Sequence, residues 1–383
     1  MLLSSGESEQ DNLRAAVQWG LGSDSPDDSS IAVDIAASLA AYAPFEAAGG
    51  IASLVTQTAE RAQTLSREQR IAILGAAAFD AFQNRGDVQL AEQLARGALR
   101  DGVTPGNPGV QAYVALVMSQ TFTGLLTEAR ATLREAMQAT QLAGVSDNDR
   151  AGALGTSAAV LALMGDIENA RQSADAALAL MRRTGNPSSL ASTLCWASLT
   201  RVRDDPGQAL AFAEQSIALT RAGASGSVLG HVLPIRAQLR ARSGDIPAAV
   251  RDLREAITYS HEKGDKVMLM AAFDRGINVF DSLGLAEPAA VLAGVALHGP
   301  LAVLSVLPPA ERDDRAVLLE QVQTLIGRTA YERAVAQGAA MNQDEAITYA
   351  LDQLDTAETQ SLAPSAVPEA RDGQATASHG FRS

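Results

Sequence analysis

A residue that favours turns, glycine in five cases and aspartate in one, recurs along this chain at a nearly constant interval of 38 to 41 residues. The landmarks are Gly86, Gly124, Gly165, Asp204, Gly244 and Gly284. The fifth residue after each landmark is alanine, the twelfth is alanine or serine, and the thirteenth is always apolar. Units of this length cannot bury their own apolar faces and must stack on one another. The spacing therefore predicts a helical repeat protein.

Each landmark marks the predicted turn between the first and the second helix of one unit. Glycine can adopt the left-handed conformation that ends the first helix. An aspartate that can cap the second helix follows in four units, as Asp87, Asp166, Asp205 and Asp245. Asn-Pro pairs at 107–108 and 186–187 predict the starts of two first helices, and Ser66 with Gln69 predicts a capping box.

Several segments resemble a known repeat family. Gly-Asp-Ile-x-x-Ala at 165–170 and 244–249, and Gly-Asp-Val-x-x-Ala at 86–91, resemble the turn and second helix of the tetratricopeptide repeat. The interval of about 40 residues resembles the long repeats of bacterial regulatory ATPases. Residues 9–19 resemble the opening, and residues 331–351 the closing helices, of the C-terminal repeats in actinobacterial LuxR-type regulators, adenylate-cyclase-like proteins and signal-transducing ATPases.

The resemblance implies an all-α fold, a right-handed superhelical solenoid of tetratricopeptide-like helix pairs. Residues 1–65 are expected to form N-terminal capping helices, 66–303 the repeats, and 304–356 C-terminal capping helices. Residues 357–383 are rich in Ala, Ser, Pro and Gly and are expected to form a disordered tail. An alanine-rich chain with only 4% aromatic residues suits close-packed helices better than sheets.

The resemblance also implies a function. The chain lacks a Gly-x-x-x-x-Gly-Lys-Ser/Thr phosphate loop, so we expect it to serve an ATPase without being one. The expected function is that of a non-catalytic interaction or sensor module of a bacterial signalling or transcription-regulatory system. Its partner is a protein or peptide, such as the ATPase or cyclase of a split regulator. The alternatives are a small-molecule-sensing repeat domain and a truncated remnant of a larger regulator.

Charge and composition restrict the partners. A net charge of −14 argues against direct binding to nucleic acid, because phosphate contacts need an excess of lysine and arginine. The longest apolar stretch, near 301–307, is too short to span a membrane, and a cytoplasmic location is expected. The four histidines are scattered and Cys195 is the only cysteine, so no catalytic residue, cofactor or metal site is expected.

In tetratricopeptide solenoids the first helices line a concave groove, and the corresponding positions predict where a partner binds. Polar residues interleave with apolar ones there, which suits an extended peptide or a partner helix. The same pattern would arise if the groove faced only water. The candidate groove-binding residues are Arg201, His231, Gln238, Arg242, Asp274, Asn278 and Asp281.

Overall fold

A computed structural model describes residues 3–40, 51–61, 65–104, 107, 109–223 and 228–362. These residues form eighteen α-helices, with no β-strand among them, which confirms the all-α fold class. The predicted tail from 363 onward lies outside the described residues. The last helix continues to Leu362, beyond the tail boundary expected at 357.

Six helical hairpins occupy the middle of the chain. The first helices are α4 (Arg67–Gln83), α6 (Val110–Phe122), α8 (Asp147–Leu163), α10 (Pro187–Leu199), α12 (Val228–Ser243) and α14 (Lys266–Ser282). The second helices are α5 (Val88–Leu99), α7 (Leu126–Ala139), α9 (Ile167–Thr184), α11 (Pro206–Arg221), α13 (Ile246–Glu262) and α15 (Ala286–His298). The other helices are α1 (Leu3–Gly22), α2 (Pro26–Leu39), α3 (Ile51–Ala59), α16 (Pro309–Ile326), α17 (Arg328–Ala340) and α18 (Gln343–Leu362).

The turns inside the hairpins follow the sequence landmarks. The five landmark glycines all have positive φ angles, from 65° at Gly86 to 86° at Gly244, so glycine ends these first helices as predicted. The side chains of Asp87, Asp205 and Asp245 accept the expected backbone hydrogen bonds at the starts of α5, α11 and α13. Tight turns and caps of this kind are local features, which is why the sequence reveals them.

Two of the predicted caps are wrong. The Asp166 side chain makes no cap hydrogen bond to α9 and instead accepts hydrogen bonds from Arg130 and Asn169. Helix α6 begins at Val110 after a left-handed Gly109, so Asn107 is not its N-cap, and Pro108 lies outside the described residues. The Asn186 cap of α10 and the capping box of α4 are confirmed.

The recurring small residues pack between helices. All six alanines at the fifth position after a landmark are fully buried, and the twelfth-position residues are at most 7% exposed. Each first helix contacts its own second helix, and the first five each contact the first helix of the next hairpin. Small side chains allow this close approach, which explains why the pattern keeps alanine or serine at these positions.

The first helices also make a contact that joins the two ends of the series. Helix α14 contacts α4. The first helices therefore form a closed series of contacts, in the order α4, α6, α8, α10, α12, α14 and back to α4. At this junction the Gln83 amide donates to both carboxylate oxygens of Asp265, at 3.0 and 2.9 Å. Lys266 Nζ donates to the Arg85 carbonyl at 3.3 Å. A Cβ built at Gly86 would lie 2.9 Å from Leu304 Cδ1, so Leu304 seals the same junction.

Among the described residues, three helices follow the last hairpin, and the second of them packs backbone to backbone on α15. A Cβ built at Gly338 would lie 1.9 Å from the Val291 carbonyl oxygen, and one built at Gly294 would lie 2.1 Å from that of Val335. The two glycines therefore allow α15 and α17 to touch directly. Arg254 of α13 holds α18 through ion pairs to Asp355 and Glu358.

Candidate functional site

The seven predicted groove residues lie on, or directly after, three first helices. Arg201 follows α10, three of the residues lie on α12, and three lie on α14. The structure brings Gln238 of α12 and Asp274 of α14 into one polar region and places Arg242 next to the residue that follows Arg201. His231 packs separately, against an aromatic ring of α10.

Asp274 is the most enclosed of the seven, with 4% of its surface exposed. Its carboxylate accepts hydrogen bonds from Ser305 Oγ at 2.9 and 3.0 Å and from Arg315 Nη1 at 2.5 Å. Arg315 Nη2 also donates to the Asp274 carbonyl at 2.7 Å. All of these donors come from a single stretch of chain that follows the last hairpin. We refer to Asp274, Ser305 and Arg315 as the Asp274 cluster.

Gln238 is connected to α16 through Arg275, the residue that follows Asp274 on α14. Arg275 donates a short hydrogen bond to Gln238 Oε1 and forms an ion pair at 3.5 Å with Glu311 at the start of α16. Two groove positions are thus connected, directly or through Arg275, to α16 and the short 3₁₀ helix Ala302–Leu304 before it. The sequence predicts an open surface at these positions, and in the structure the chain's own residues contact them.

The stretch from residue 301 to 319, called here the covering segment, crosses the turns of several hairpins. Leu304 meets the turn after α4 at Gly86. Pro309 lies close to the turn after α8, where a Cβ built at Gly165 would be 3.3 Å from its ring. Asp314 forms an ion pair at 3.2 Å with Arg203, in the turn after α10. One segment therefore holds three turns and the face of α14 together.

Arg201 points toward the second helices. Its guanidinium pairs with Asp175 of α9 at 2.6 Å, donates to Gln208 of α11 at 2.5 Å, and lies 5.4 Å from the centre of the Phe212 ring. With 8% of its surface exposed, it ties three helices together. Arg242 is exposed and donates to the Val202 carbonyl at 3.1 Å.

His231 lies against Trp196 in an edge-to-face arrangement, with the ring centres 5.2 Å apart. Burial lowers the pKa of His231 to about 4, so its imidazole is neutral at physiological pH. The space for the indole depends on Gly155 of α8, because a Cβ there would lie 2.6 Å from the Trp196 ring.

Asn278 is half-buried and Asp281 is exposed at the end of α14.

The residues that contact the groove positions around Asp274 were not predicted from the sequence. Arg315 ends the charged run Glu311 to Arg315, in which Asp313 and Asp314 are exposed. A signal was present, because Arg315, Leu319 and Val322 follow the spacing of one helix face. These three are the residues of α16 that are buried. An arginine in an apolar stripe indicates a buried acidic partner.

Other chemically relevant features are few. Cys195 is buried, and burial raises the pKa of its thiol to about 12. A cavity of about 10 Å³, lined by Tyr113, Leu133 and neighbouring side chains of α6, α7 and α8, is large enough for about one water molecule. Within the described ranges, no set of three or more His, Cys, Asp or Glu side chains is arranged to hold a metal ion.

Two further findings complete the description of the site. No helix in the described part of the chain combines the length and the apolar character needed to cross a membrane. Comparison with protein-family models and with curated proteins finds no match to this chain.

Proposed function

We propose that this chain is a tetratricopeptide-like interaction module, in which the six hairpins wind into a right-handed superhelical solenoid with a repeat of about 40 residues. The proposal is supported by the left-handed landmark glycines and by the buried small residues that recur in every hairpin. It also rests on the resemblance of the sequence to the C-terminal repeats of LuxR-type regulators and signal-transducing ATPases.

One observation supports a binding function best. The face of α14 already holds part of the covering segment, because Ser305 and Arg315 both donate to the buried carboxylate of Asp274. Grooves that accept a helix use apolar anchors for affinity and charged pairs for register. The covering segment makes both kinds of contact, through the buried Leu304 at Gly86 and through the Arg315–Asp274 ion pair. This face of the hairpins is therefore the best candidate for recognition of a protein partner.

The proposed module acts by binding, in the cytoplasm, within a bacterial signalling or transcription-regulatory system. Its partner is a protein or peptide, such as an ATPase or a cyclase, and no cofactor takes part. Two groove positions, Arg242 and Asp281, remain exposed and are available to such a partner.

Site-specific photo-cross-linking in the native cytoplasm tests this function. A photoreactive residue replaces Arg242 or Asp281 on the first helices, and Gln172 or Gln215 on the second helices serves as the matched exposed control. We expect one defined protein to be cross-linked from both first-helix positions and from neither control. Equal labelling from all four positions, or no cross-linked protein from the first helices, contradicts the proposal.

A further inference from the structure

The hairpin of α1 and α2, at the start of the chain, carries two large apolar side chains on its outer surface. Its inner side packs on α3 and α4, where Val17 and Val33 join the core and are 0% and 6% exposed. Trp19 and Ile31 are 67% and 59% exposed. Hairpins that end a stack usually have a polar outer face. This one instead presents a tryptophan and an isoleucine to solvent.

Trp19 and Ile31 lie on the same face of the hairpin because of how the two helices meet. Residues 23–25 join α1 to α2, so the helices run antiparallel. A Cβ built at Gly20 would lie 2.8 Å from Ala32 Cβ, so these two positions face each other. The residue before each of them is turned by about 100° around its helix. In antiparallel helices these two rotations lead to the same side.

Small exposed residues adjoin the tryptophan. Ala15 and Ala16 lie one turn before Trp19 on α1, and both are exposed. Alanine allows the backbone of a neighbouring helix to approach closely, as it does between the hairpins of the stack. We refer to Ala15, Ala16, Trp19 and Ile31 as the N-terminal patch. A helix packed on this patch would continue the series of helices at its outer end.

Carboxylates border the N-terminal patch. Asp27 and Asp34 are the i−4 and i+3 neighbours of Ile31, so they lie on its face of α2, and both are exposed. Asp34 accepts a hydrogen bond at 2.6 Å from the amide of Gln69, a neutral donor that does not balance its charge. The first 60 residues of the chain contain nine acidic residues and one basic residue, Arg14. A partner that packs here must therefore bring positive charge.

We infer that the N-terminal patch docks an amphipathic helix of a partner protein, with an apolar face that is bordered by lysine or arginine. Apolar side chains of that helix cover Trp19 and Ile31, and its basic side chains pair with Asp27 and Asp34. Exposed aromatic residues are typical anchors of such contacts. A second copy of this hairpin would place carboxylates against carboxylates. This surface is separate from the first-helix face proposed above, so binding at one does not depend on binding at the other.

A synthetic basic helix serves as the probe for the full chain. The peptide has about 18 residues, with leucine on one face and lysine on the other, and a peptide with glutamate in place of lysine is its control. Fluorescence anisotropy of a labelled peptide measures binding. We expect Trp19→Ala to weaken binding of the lysine peptide about tenfold or more. Leu325→Ala removes a side chain that is 74% exposed on α16, and as the matched control it should bind like the wild type.

A charge-matched pair of variants tests the role of the carboxylates. Asp27→Asn with Asp34→Asn removes two negative charges beside the patch and should weaken binding of the lysine peptide about tenfold. Asp313→Asn with Glu320→Gln removes two exposed negative charges on α16 and should leave the affinity unchanged. An equal effect of the two double variants would mean that only the net charge of the chain attracts the peptide, and this would overturn the inference.

Tryptophan fluorescence locates the bound peptide. The chain has two tryptophans, and Trp196 is half-buried against His231. Docking of the unlabelled lysine peptide should shift the Trp19 emission to shorter wavelength and protect it from acrylamide quenching. In Trp19→Phe the shift should disappear while the peptide still binds.

Three further outcomes would overturn the inference. They are equal affinity of the wild type and Trp19→Ala for the lysine peptide, equal binding of the glutamate peptide, and a dimer of the chain that Trp19→Ala dissociates. In the last case the occupant of the patch would be a second copy. None of these outcomes bears on the cross-linking experiment, which probes the first helices.

Discussion

Individual side chains in this protein hold charge in places that water does not reach. Asp252 of α13 is 3% exposed and accepts hydrogen bonds from Arg236 at 2.8 and 2.6 Å and from Arg240 at 3.0 Å. Both arginines belong to α12, so the carboxylate fixes the angle between the two helices of one hairpin. An uncompensated buried charge is far more costly than the net contribution of the pair.

Replacing Asp252 with alanine should therefore destabilise the protein strongly. The change leaves the buried Arg236 without its acceptor, and we expect a loss of about 3–5 kcal/mol in the free energy of unfolding. Arg240→Ala is the matched control, because Arg240 is partly exposed and Asp252 keeps its ion pair with Arg236. We expect Arg240→Ala to lower the free energy of unfolding by about 1–2 kcal/mol. Urea unfolding measures both. Equal losses would contradict the assignment of Asp252 as the centre of this network.

Asp265 gives a second prediction, one that depends on pH. Burial raises the pKa of Asp265 to about 6, although hydrogen bonds from Gln83 and the α14 backbone oppose the shift. A raised folded-state pKa means that the contribution of Asp265 to stability is complete below pH 3.8 and is lost as pH rises through 6. Asparagine caps a helix as well as aspartate does and carries no charge.

We therefore expect Asp265→Asn to raise the free energy of unfolding at pH 7 by about 1–3 kcal/mol and to leave it nearly unchanged at pH 4. Thermal and urea unfolding at the two pH values measure the difference. Asp87→Asn, at an exposed helix cap, controls for the capping change itself. A variant that is less stable than the wild type at pH 7 would show that the charge of Asp265 is needed at the junction.

At the scale of helices, the packing of α15 on α17 depends on two glycines that face one another. Side chains at Gly294 and Gly338 would overlap with carbonyl oxygens of the other helix. Neither glycine has a positive φ, so the requirement comes from space and not from backbone conformation.

Gly338→Ala should accordingly destabilise the protein, because the backbones of α15 and α17 must move apart to admit a methyl group. We expect a loss of about 2–4 kcal/mol, somewhat above the usual cost of overpacking because the obstacle is backbone. Gly97→Ala on α5 is the control. A Cβ there meets only Leu74 Cδ1, at 3.4 Å, and the better helix propensity should stabilise by about 0.5–1 kcal/mol. Urea unfolding of both variants checks the opposite signs.

Many features of the helices and turns could be predicted from the sequence. The glycine turns, the caps at Asp87 and Asp245, and the small residues between helices were all predictable, because each depends on residues within one hairpin. The Asp166 cap failed because Arg130, from the preceding hairpin, draws its carboxylate away. Local patterns therefore predict local structure until a residue from elsewhere in the chain competes.

At the scale of the whole molecule, the unpredicted features are contacts between distant residues. Gln83 and Asp265 are 182 positions apart, and Arg315 and Asp274 are 41 apart. The repeat pattern does not identify these partners, since it describes only how each hairpin meets the next. The groove positions were read as open for this reason, although the covering segment fills those around Asp274.

The junction of α4 with α14 should also affect how the chain unfolds. A linear array of repeats can unfold in parts, because each interface contributes separately. A contact between the first and last hairpins makes the unfolding of one hairpin depend on the other. We expect Gln83→Ala combined with Lys266→Ala to lower the denaturant dependence of unfolding or to split the transition in two. Gln172→Ala, at an exposed position, is the control. A single transition with an unchanged slope would mean that the junction does not couple the hairpins.

Cys195 has a practical consequence. It is the only cysteine of the chain, it is buried, and burial raises the pKa of its thiol to about 12. The thiolate is the reactive form, so Cys195 is inert to maleimides near neutral pH. Cysteines introduced at exposed positions, such as Asp313→Cys on α16 and Arg182→Cys on α9, would then be the only sites to take up dyes. The natural chain is thus ready for single-molecule energy-transfer measurements of distances within it, without prior removal of a thiol.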